Sequence, residues 1–165
     1  MLLYLLRHGI AEAHGSRRSD DERELTEEGM EKTKLALKAV RAMKLEQPSL
    51  IIASPYIRAQ QTAEIAHREF GSHAQLKNSE VLIPSGDITS TMSLVAEYIR
   101  DNSPLMLVGH EPHLSTFASA ILGSSSTIIE MKKASLAVIE LFRLDTPRMR
   151  GVLTALLPPK IGNTI

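Results

Sequence analysis

Met1-Leu2-Leu3-Tyr4-Leu5-Leu6-Arg7-His8-Gly9 opens the chain. Leu2 to Leu6 form an unbroken apolar run with no alternation, the pattern of a short strand buried on both faces of a sheet. The run delivers an arginine and a histidine at its carboxyl end and then a glycine. In open α/β sheets, ligands sit in the crevice beyond the carboxyl ends of the strands. A guanidinium and an imidazole at that point therefore mark a candidate site.

Two further runs repeat the arrangement. Leu50-Ile51-Ile52-Ala53 leads into Ser54-Pro55, which reads as a helix start with Ser54 as cap and Pro55 in the first turn, and Arg58 follows. Leu105–Val108 ends in Gly109-His110, and Pro112 begins a helix that stops at Gly123. Between the first two runs lies a polar stretch, 10–25. Thr26 then caps a helix over 27–43, with Met30, Leu37, Val40 and Met43 as its apolar stripe. Glu80–Ile83 reads as a further strand, and Asp87 starts a helix whose buried face is Leu94, Val95, Tyr98 and Ile99. After residue 123, Thr127–Met131, Ser135–Leu144 and Met149–Leu157 read as consecutive strands with antiparallel neighbours. The class is α/β with a mixed, mostly parallel sheet. No repeat or linker divides residues 1–165, so one domain is expected, with a loose end around Pro158-Pro159 and Gly162-Asn163.

Parallel strands bring all their carboxyl ends to one edge. Arg7, His8, Arg58 and His110 would converge there, joined by the backbone N–H groups of helix N-termini. Two forked guanidinium groups favour phosphate, which they hold bidentately. A neutral imidazole can attack phosphorus and form a covalent intermediate that water later cleaves. Neighbouring arginines would hold His8 neutral, and with His110 they would stabilise charge on the transferring phosphoryl oxygens.

Composition narrows the alternatives. With 165 residues, 43% of them hydrophobic, and 19 basic against 19 acidic residues, nothing in the net charge argues for nucleic acid or an anionic membrane. The chain has no cysteine, which excludes disulfides, thiolate catalysis and cysteine-ligated zinc. No apolar stretch approaches a membrane span or a signal core, so a cytoplasmic location is expected. His110-Glu111-Pro112-His113 departs from the metal motif H-E-x-x-H because Leu114 stands in the second ligand's place. No cofactor and no metal are expected. Glycine-rich nucleotide loops and the G-x-S-x-G elbow do not occur.

Arg7-His8-Gly9 resembles the RHG signature of the histidine phosphatase superfamily, which includes phosphoglycerate mutases. Leu25-Thr26-Glu27-Glu28-Gly29 is similar to its L-T-x-x-G element, Ser54 to Ala63 to its S-P-x-x-R-x-x-Q-T-A stretch, and Gly109-His110 to its second histidine motif. The resemblance implies a phosphoglycerate mutase-like fold of three layers, α/β/α. It also implies His8 as the phosphorylated nucleophile, with Arg7, Arg58 and His110 completing the phosphate pocket. Arg23-Glu24-Leu25-Thr26, Pro84-Ser85-Gly86-Asp87 and His110-Glu111-Pro112 are most similar to SixA-type phosphohistidine phosphatases, which dephosphorylate signalling phosphotransfer proteins. By that likeness Arg23 lines the substrate side of the pocket; otherwise it is a surface ion pair. Gly9 lets the chain turn away so that substrate can reach His8.

Members that cleave phosphate esters carry an acid for the leaving alkoxide. Here Glu80 and Asp87 are near the expected segment, and neither sits in a mutase-like motif; Asp87 also reads as a plain helix cap. An imidazole leaves more easily than an alkoxide, which tilts the expectation toward P–N cleavage. The leading expectation is a metal-independent phosphohistidine phosphatase whose partner is a phosphohistidine-containing phosphotransfer protein and whose product is inorganic phosphate. The alternatives are a small-molecule phosphomonoesterase using Glu80 or Asp87, and a non-catalytic phosphohistidine-binding module.

Overall fold

The computed structural model describes residues 1–15, 18–99, 102–143 and 149–159. Leu144, Gly162 and Asn163 lie outside them. The elements in chain order are β1 (Leu2–Arg7), α1 (Glu27–Ala42), β2 (Leu50–Ala53), α2 (Ile57–Glu69), β3 (Gln75–Asn78), a 3₁₀ turn (Glu80–Leu82), α3 (Ile88–Tyr98), β4 (Leu105–Gly109), α4 (His113–Ile121), β5 (Leu136–Arg143) and β6 (Met149–Leu157). They build one six-stranded sheet of order β3-β2-β4-β1-β5-β6. β3, β2, β4 and β1 run parallel, whereas β5 is antiparallel to both β1 and β6.

The apolar runs explain the layers. Successive side chains of a strand point to opposite faces. Tyr4, Leu6, Ile51, Ala53, Met106 and Val108 meet Leu37 and Val40 of α1 and Ala59, Ala63 and Ala66 of α2. Leu3, Leu5, Ile52, Leu105 and Leu107 meet Val95 of α3 and Leu114, Phe117 and Ile121 of α4. Both faces are covered, which is why these strands lack polar alternation. Each fully buried aliphatic side chain contributes about 1.5–3 kcal/mol over its exposed state.

The helix stripes differ from their sequence expectation in α1. Leu37 and Val40 are buried, but Met30 and Met43 are exposed, and the remaining inward positions belong to Gly29 and Thr33. Small residues there let α1 lie close against the chain that follows β1. A Cβ on Gly29 would sit 2.0 Å from the Ile10 carbonyl oxygen, and one on Gly9 would sit 2.5 Å from Thr33 Oγ1 and 3.1 Å from the Gly29 carbonyl oxygen. The L-T-x-x-G element is thus a docking device. Thr26 accepts a bond from Gly29 N–H at 3.0 Å and donates its own N–H to the Ile10 carbonyl at 2.9 Å. The space required at Gly9 faces this helix, which corrects the expectation that its bareness serves substrate approach.

Three other expectations change. α2 begins at Ile57 after Tyr56 rather than at Pro55, and the Ser54 hydroxyl is shared between Tyr56 N–H at 3.4 Å and His110 Nε2 at 2.8 Å. Glu80–Ile83 is not a strand. It forms the 3₁₀ turn, with Leu82 fully buried, and the strand of this region is β3, an edge whose four residues are all exposed and carry no apolar pattern. Thr127–Met131 does not join the sheet either. Its backbone is bonded instead by serines of α4, with Ile128 N–H on Ser119 Oγ at 2.9 Å and Met131 N–H on Ser115 Oγ at 3.2 Å. Asp87 caps α3 as expected, accepting from Ser90 N–H at 2.8 Å.

Candidate active site

β1 and β4 are neighbours in register, with Arg7 opposite Gly109, so the residues next along, His8 and His110, leave the sheet side by side. Their rings lie 5.0 Å apart, centre to centre. β2 ends one strand further over, and the first turn of α2 brings Arg58 to the same edge. An open cavity of about 280 Å³ lies there. Its lining includes Arg7, His8, Arg23, Arg58 and His110. Four cationic side chains (these three arginines and Lys133) face three carboxyls (Glu12, Asp20 and Glu111), a balance that favours an anionic ligand.

His8 has one ring nitrogen committed. Nδ1 lies 2.7 Å from the carbonyl oxygen of Gly9, and a carbonyl only accepts, so Nδ1 carries the proton. Nε2 then holds the lone pair. Burial pushes the His8 pKa down to about 3 against the pull of the Gly9 bond, and Arg58, Arg7 and Lys133 lower it further. The imidazole is therefore neutral and nucleophilic at physiological pH. We expect long-range ¹⁵N–¹H NMR to show His8 still as the Nδ1–H tautomer at pH values well below 6.5; a ring that gains its second proton near 6.5 would contradict the geometry.

His110 is held by its other side. Its Nε2 lies 2.8 Å from Ser54 Oγ, and its Nδ1 is buried without a partner. The Ser54 oxygen also lies 3.4 Å from Tyr56 N–H, so the serine ties His110 to the residue that precedes α2. Burial, followed by the neighbouring His8 and Arg58, pushes the His110 pKa down to about 2. Tyr56 braces both partners, edge-on to His110 at 5.1 Å and under the Arg58 guanidinium at 4.9 Å.

The arginines are anchored by backbone oxygens. Arg7 Nη1 donates to the Met131 carbonyl at 2.6 Å, and Arg58 Nη1 donates to the Asp20 carbonyl. Arg23, buried at 7% exposure, donates to the Glu12 carbonyl at 2.6 Å and to Asp20 Oδ1 through Nε and Nη2 at 2.9 and 2.7 Å. It lines the cavity and makes an ion pair at once. Asp20, whose Oδ2 lies 3.1 Å from Arg58 Nη2, joins the two guanidinium groups. Hydrogen bonds and charge from Arg23 and Arg58 outweigh its burial and hold its carboxyl below the usual range.

Neither Glu80 nor Asp87 lines the cavity. Glu80 is exposed at the start of the 3₁₀ turn, and both Asp87 contacts go to Ser90 through Oδ2. Reading the sequence also gave no site role to four charged lining residues: Glu12, Asp20, Glu111 and Lys133. The i,i+3 spacing of Asp20 and Arg23 was a usable signal for the aspartate. Glu111 stood in the His110-Glu111-Pro112 element without a role of its own, and nothing local marked Glu12 or Lys133. Among the described residues no cluster of three or more histidine, aspartate and glutamate side chains could hold a metal ion.

What the geometry offers is a neutral nucleophilic nitrogen, forked cations around it, and buried polar atoms without partners. Among the described residues those atoms are Arg7 Nε, Arg58 Nε, His110 Nδ1, Glu111 Oε1 and His113 Nδ1, and the first four belong to cavity-lining residues. Comparison with known proteins gives this constellation a family. A profile of the histidine phosphatase superfamily (branch 1) matches residues 3–82. A relative from Picosynechococcus sp., itself an uncharacterized protein, is 36% identical over 143 residues, 82% of either chain. The protein histidine phosphatase SixA, solved with tungstate, superposes with a TM-score of 0.83 at 20% identity over 96% of this chain and 97% of that one. A mycobacterial glucosyl-3-phosphoglycerate phosphatase, solved with VO3, superposes with a TM-score of 0.74 at 19% identity, covering 95% and 99%. The fold is thus the phosphoglycerate mutase-like α/β fold shared with SixA, and the chain belongs to the histidine phosphatase superfamily.

Proposed function

We propose that the chain is a phosphohistidine phosphatase, one catalytic domain that acts through phospho-His8. The observation that carries the chemistry is the bond from His8 Nδ1 to Gly9, which leaves Nε2 free in a cavity walled by arginines. In the first half of the reaction Nε2 attacks phosphorus. The P–N bond to the substrate imidazole breaks as that of phospho-His8 forms, and the leaving ring takes up a proton. In the second half water attacks, inorganic phosphate departs, and His8 is regenerated. Arg7, Arg58 and His110 hold the phosphoryl oxygens while charge builds on them; Arg23 extends the cationic wall.

A protein substrate fits an open cavity at a sheet edge, because a histidine presented on a folded phosphotransfer protein can reach it. The solved SixA phosphatase of the same fold gives the reading a precedent. No described helix is long and apolar enough to cross a membrane, in keeping with a cytoplasmic role. A phosphomonoesterase is the competing reading, favoured by the glucosyl-3-phosphoglycerate phosphatase among the structural neighbours.

The test is a comparison of kcat/KM for a histidine-phosphorylated phosphotransfer domain against a panel of sugar and glycerate phosphates. We expect the phosphoprotein to be preferred roughly tenfold or more. A sugar or glycerate ester turned over faster would replace this proposal with the competing one. Binding of the phosphoprotein without phosphate release would reduce the chain to a recognition module.

A further inference from the structure

The three carboxyls on the cavity are in different states. Both Asp20 oxygens are taken, Oδ1 by Arg23 with His14 at 3.3 Å and Oδ2 by Arg58, so it serves only as an acceptor. Glu12 turns Oε2 to the Glu24 N–H at 3.3 Å. Glu111 stands apart. It follows His110 directly, lines the cavity with Arg7, His8 and His110, and keeps Oε1 buried with no hydrogen-bond partner. A buried carboxylate oxygen without a donor is costly, and protonation removes the charge, the larger part of that cost.

Resting on the phosphatase reading, we propose that Glu111 is the proton donor to the leaving group, the role that neither Glu80 nor Asp87 is placed to fill. Burial raises its carboxyl above the usual range, against the opposing pull of the Ser115 hydroxyl and N–H and of the Arg7 charge. A carboxyl shifted in that direction is better suited to donate a proton than an exposed one. As His8 Nε2 bonds to phosphorus, the bond from phosphorus to the leaving nitrogen or oxygen breaks, and the Glu111 proton passes to that departing atom. In the second half the Glu111 carboxylate takes a proton from the attacking water while the P–Nε2 bond breaks. One water is consumed and Glu111 returns to its acid form. The acid extends the chemistry to leaving groups poorer than imidazole, so substrate choice would rest on access to the cavity more than on leaving-group basicity.

Glu111→Gln separates this assignment from a structural role. A series of phosphate monoesters running from 2,4-dinitrophenyl to alkyl phosphates is compared in wild type and variant, with tungstate affinity measured alongside. We expect alkyl phosphate turnover to fall by roughly 100-fold or more, dinitrophenyl phosphate turnover to fall far less, and tungstate affinity to hold. The basic limb of the wild-type pH profile on alkyl phosphates should vanish in the variant. Equal loss on all substrates, or no loss on any, overturns the assignment, as does a wild type that cleaves only activated esters. Should Glu111→Gln fail to fold by circular dichroism, Glu111→Asp is put through the same series with the same outcomes. A wild type releasing phosphate from neither ester nor phosphohistidine protein would instead overturn the phosphatase reading itself.

Discussion

Replacing His8 with alanine should reduce phosphate release from every substrate by about 10⁴-fold or more, the scale seen when a covalent nucleophile is removed. The loss should fall on kcat, because Arg7, Arg58 and His110 still bind the phosphoryl group. Wild type quenched during turnover at alkaline pH should carry one phosphoryl group by intact mass, and His8→Ala none. Residual turnover within tenfold of wild type would mean that water attacks directly. The same substitution has a readable effect on stability. The His8 pKa is about 3 in the folded chain and 6.5 when unfolded, so the unfolded state binds the extra proton over that window. Stability contributed by the neutral ring is full above pH 6.5 and is lost as pH falls toward about 3. His8→Ala should therefore lose stability less steeply than wild type between those values, as measured by urea midpoints at stepped pH.

Arg58→Ala should lower kcat/KM by about 10²–10³-fold, the usual cost of removing one preorganised donor to a developing oxyanion. Stability should change little, because Asp20 is 43% exposed and keeps Arg23 as partner. The cavity also changes sign on this side, since Asp20 loses the guanidinium that offsets it. Removing Asp20 as well, in the double variant Arg58→Ala/Asp20→Ala, should recover part of the lost phosphate affinity, and the shortfall from additivity measures their coupling. Arg58→Lys should rescue poorly. A single ammonium cannot reach the Asp20 carbonyl, Asp20 Oδ2 and the cavity together. Full rescue by lysine would show that charge alone matters at this position.

What could be read from the chain depended on whether a position's environment was local. β1, β2 and β4 announce themselves because both faces are covered and, apart from Arg7 at the end of β1, they carry no charged residue. β3 has the same role at the sheet edge, but its exposed Gln75-Leu76-Lys77-Asn78 carries no such pattern. The stripe of α1 was misread because its inward positions near the site are Gly29 and Thr33, where closeness to Ile10 and Gly9 matters more than hydrophobicity. Arg7, His8, Arg58 and His110 come together because strand ends place them. Glu111 and Asp20 reach the cavity through the paths of loops, which no periodicity encodes. Ser54 shows the limit most plainly: its position before a proline suggests a helix cap, while the structure shares its hydroxyl between Tyr56 N–H and the site residue His110.

The reversal of β5 has a consequence for the order in which the enzyme is assembled. Because β5 runs against β1, its first residues lie at the end of the sheet where β1 finishes. There Ala134 N–H donates to the His8 and Arg7 carbonyls at 3.1 and 3.2 Å, Arg7 N–H donates to Ser135, and the Met131 carbonyl takes the Arg7 side chain. Every signature residue has been synthesised by position 110, yet the grip on the first of them is supplied some twenty residues later. A chain halted between those points carries the whole signature with its opening arginine unheld.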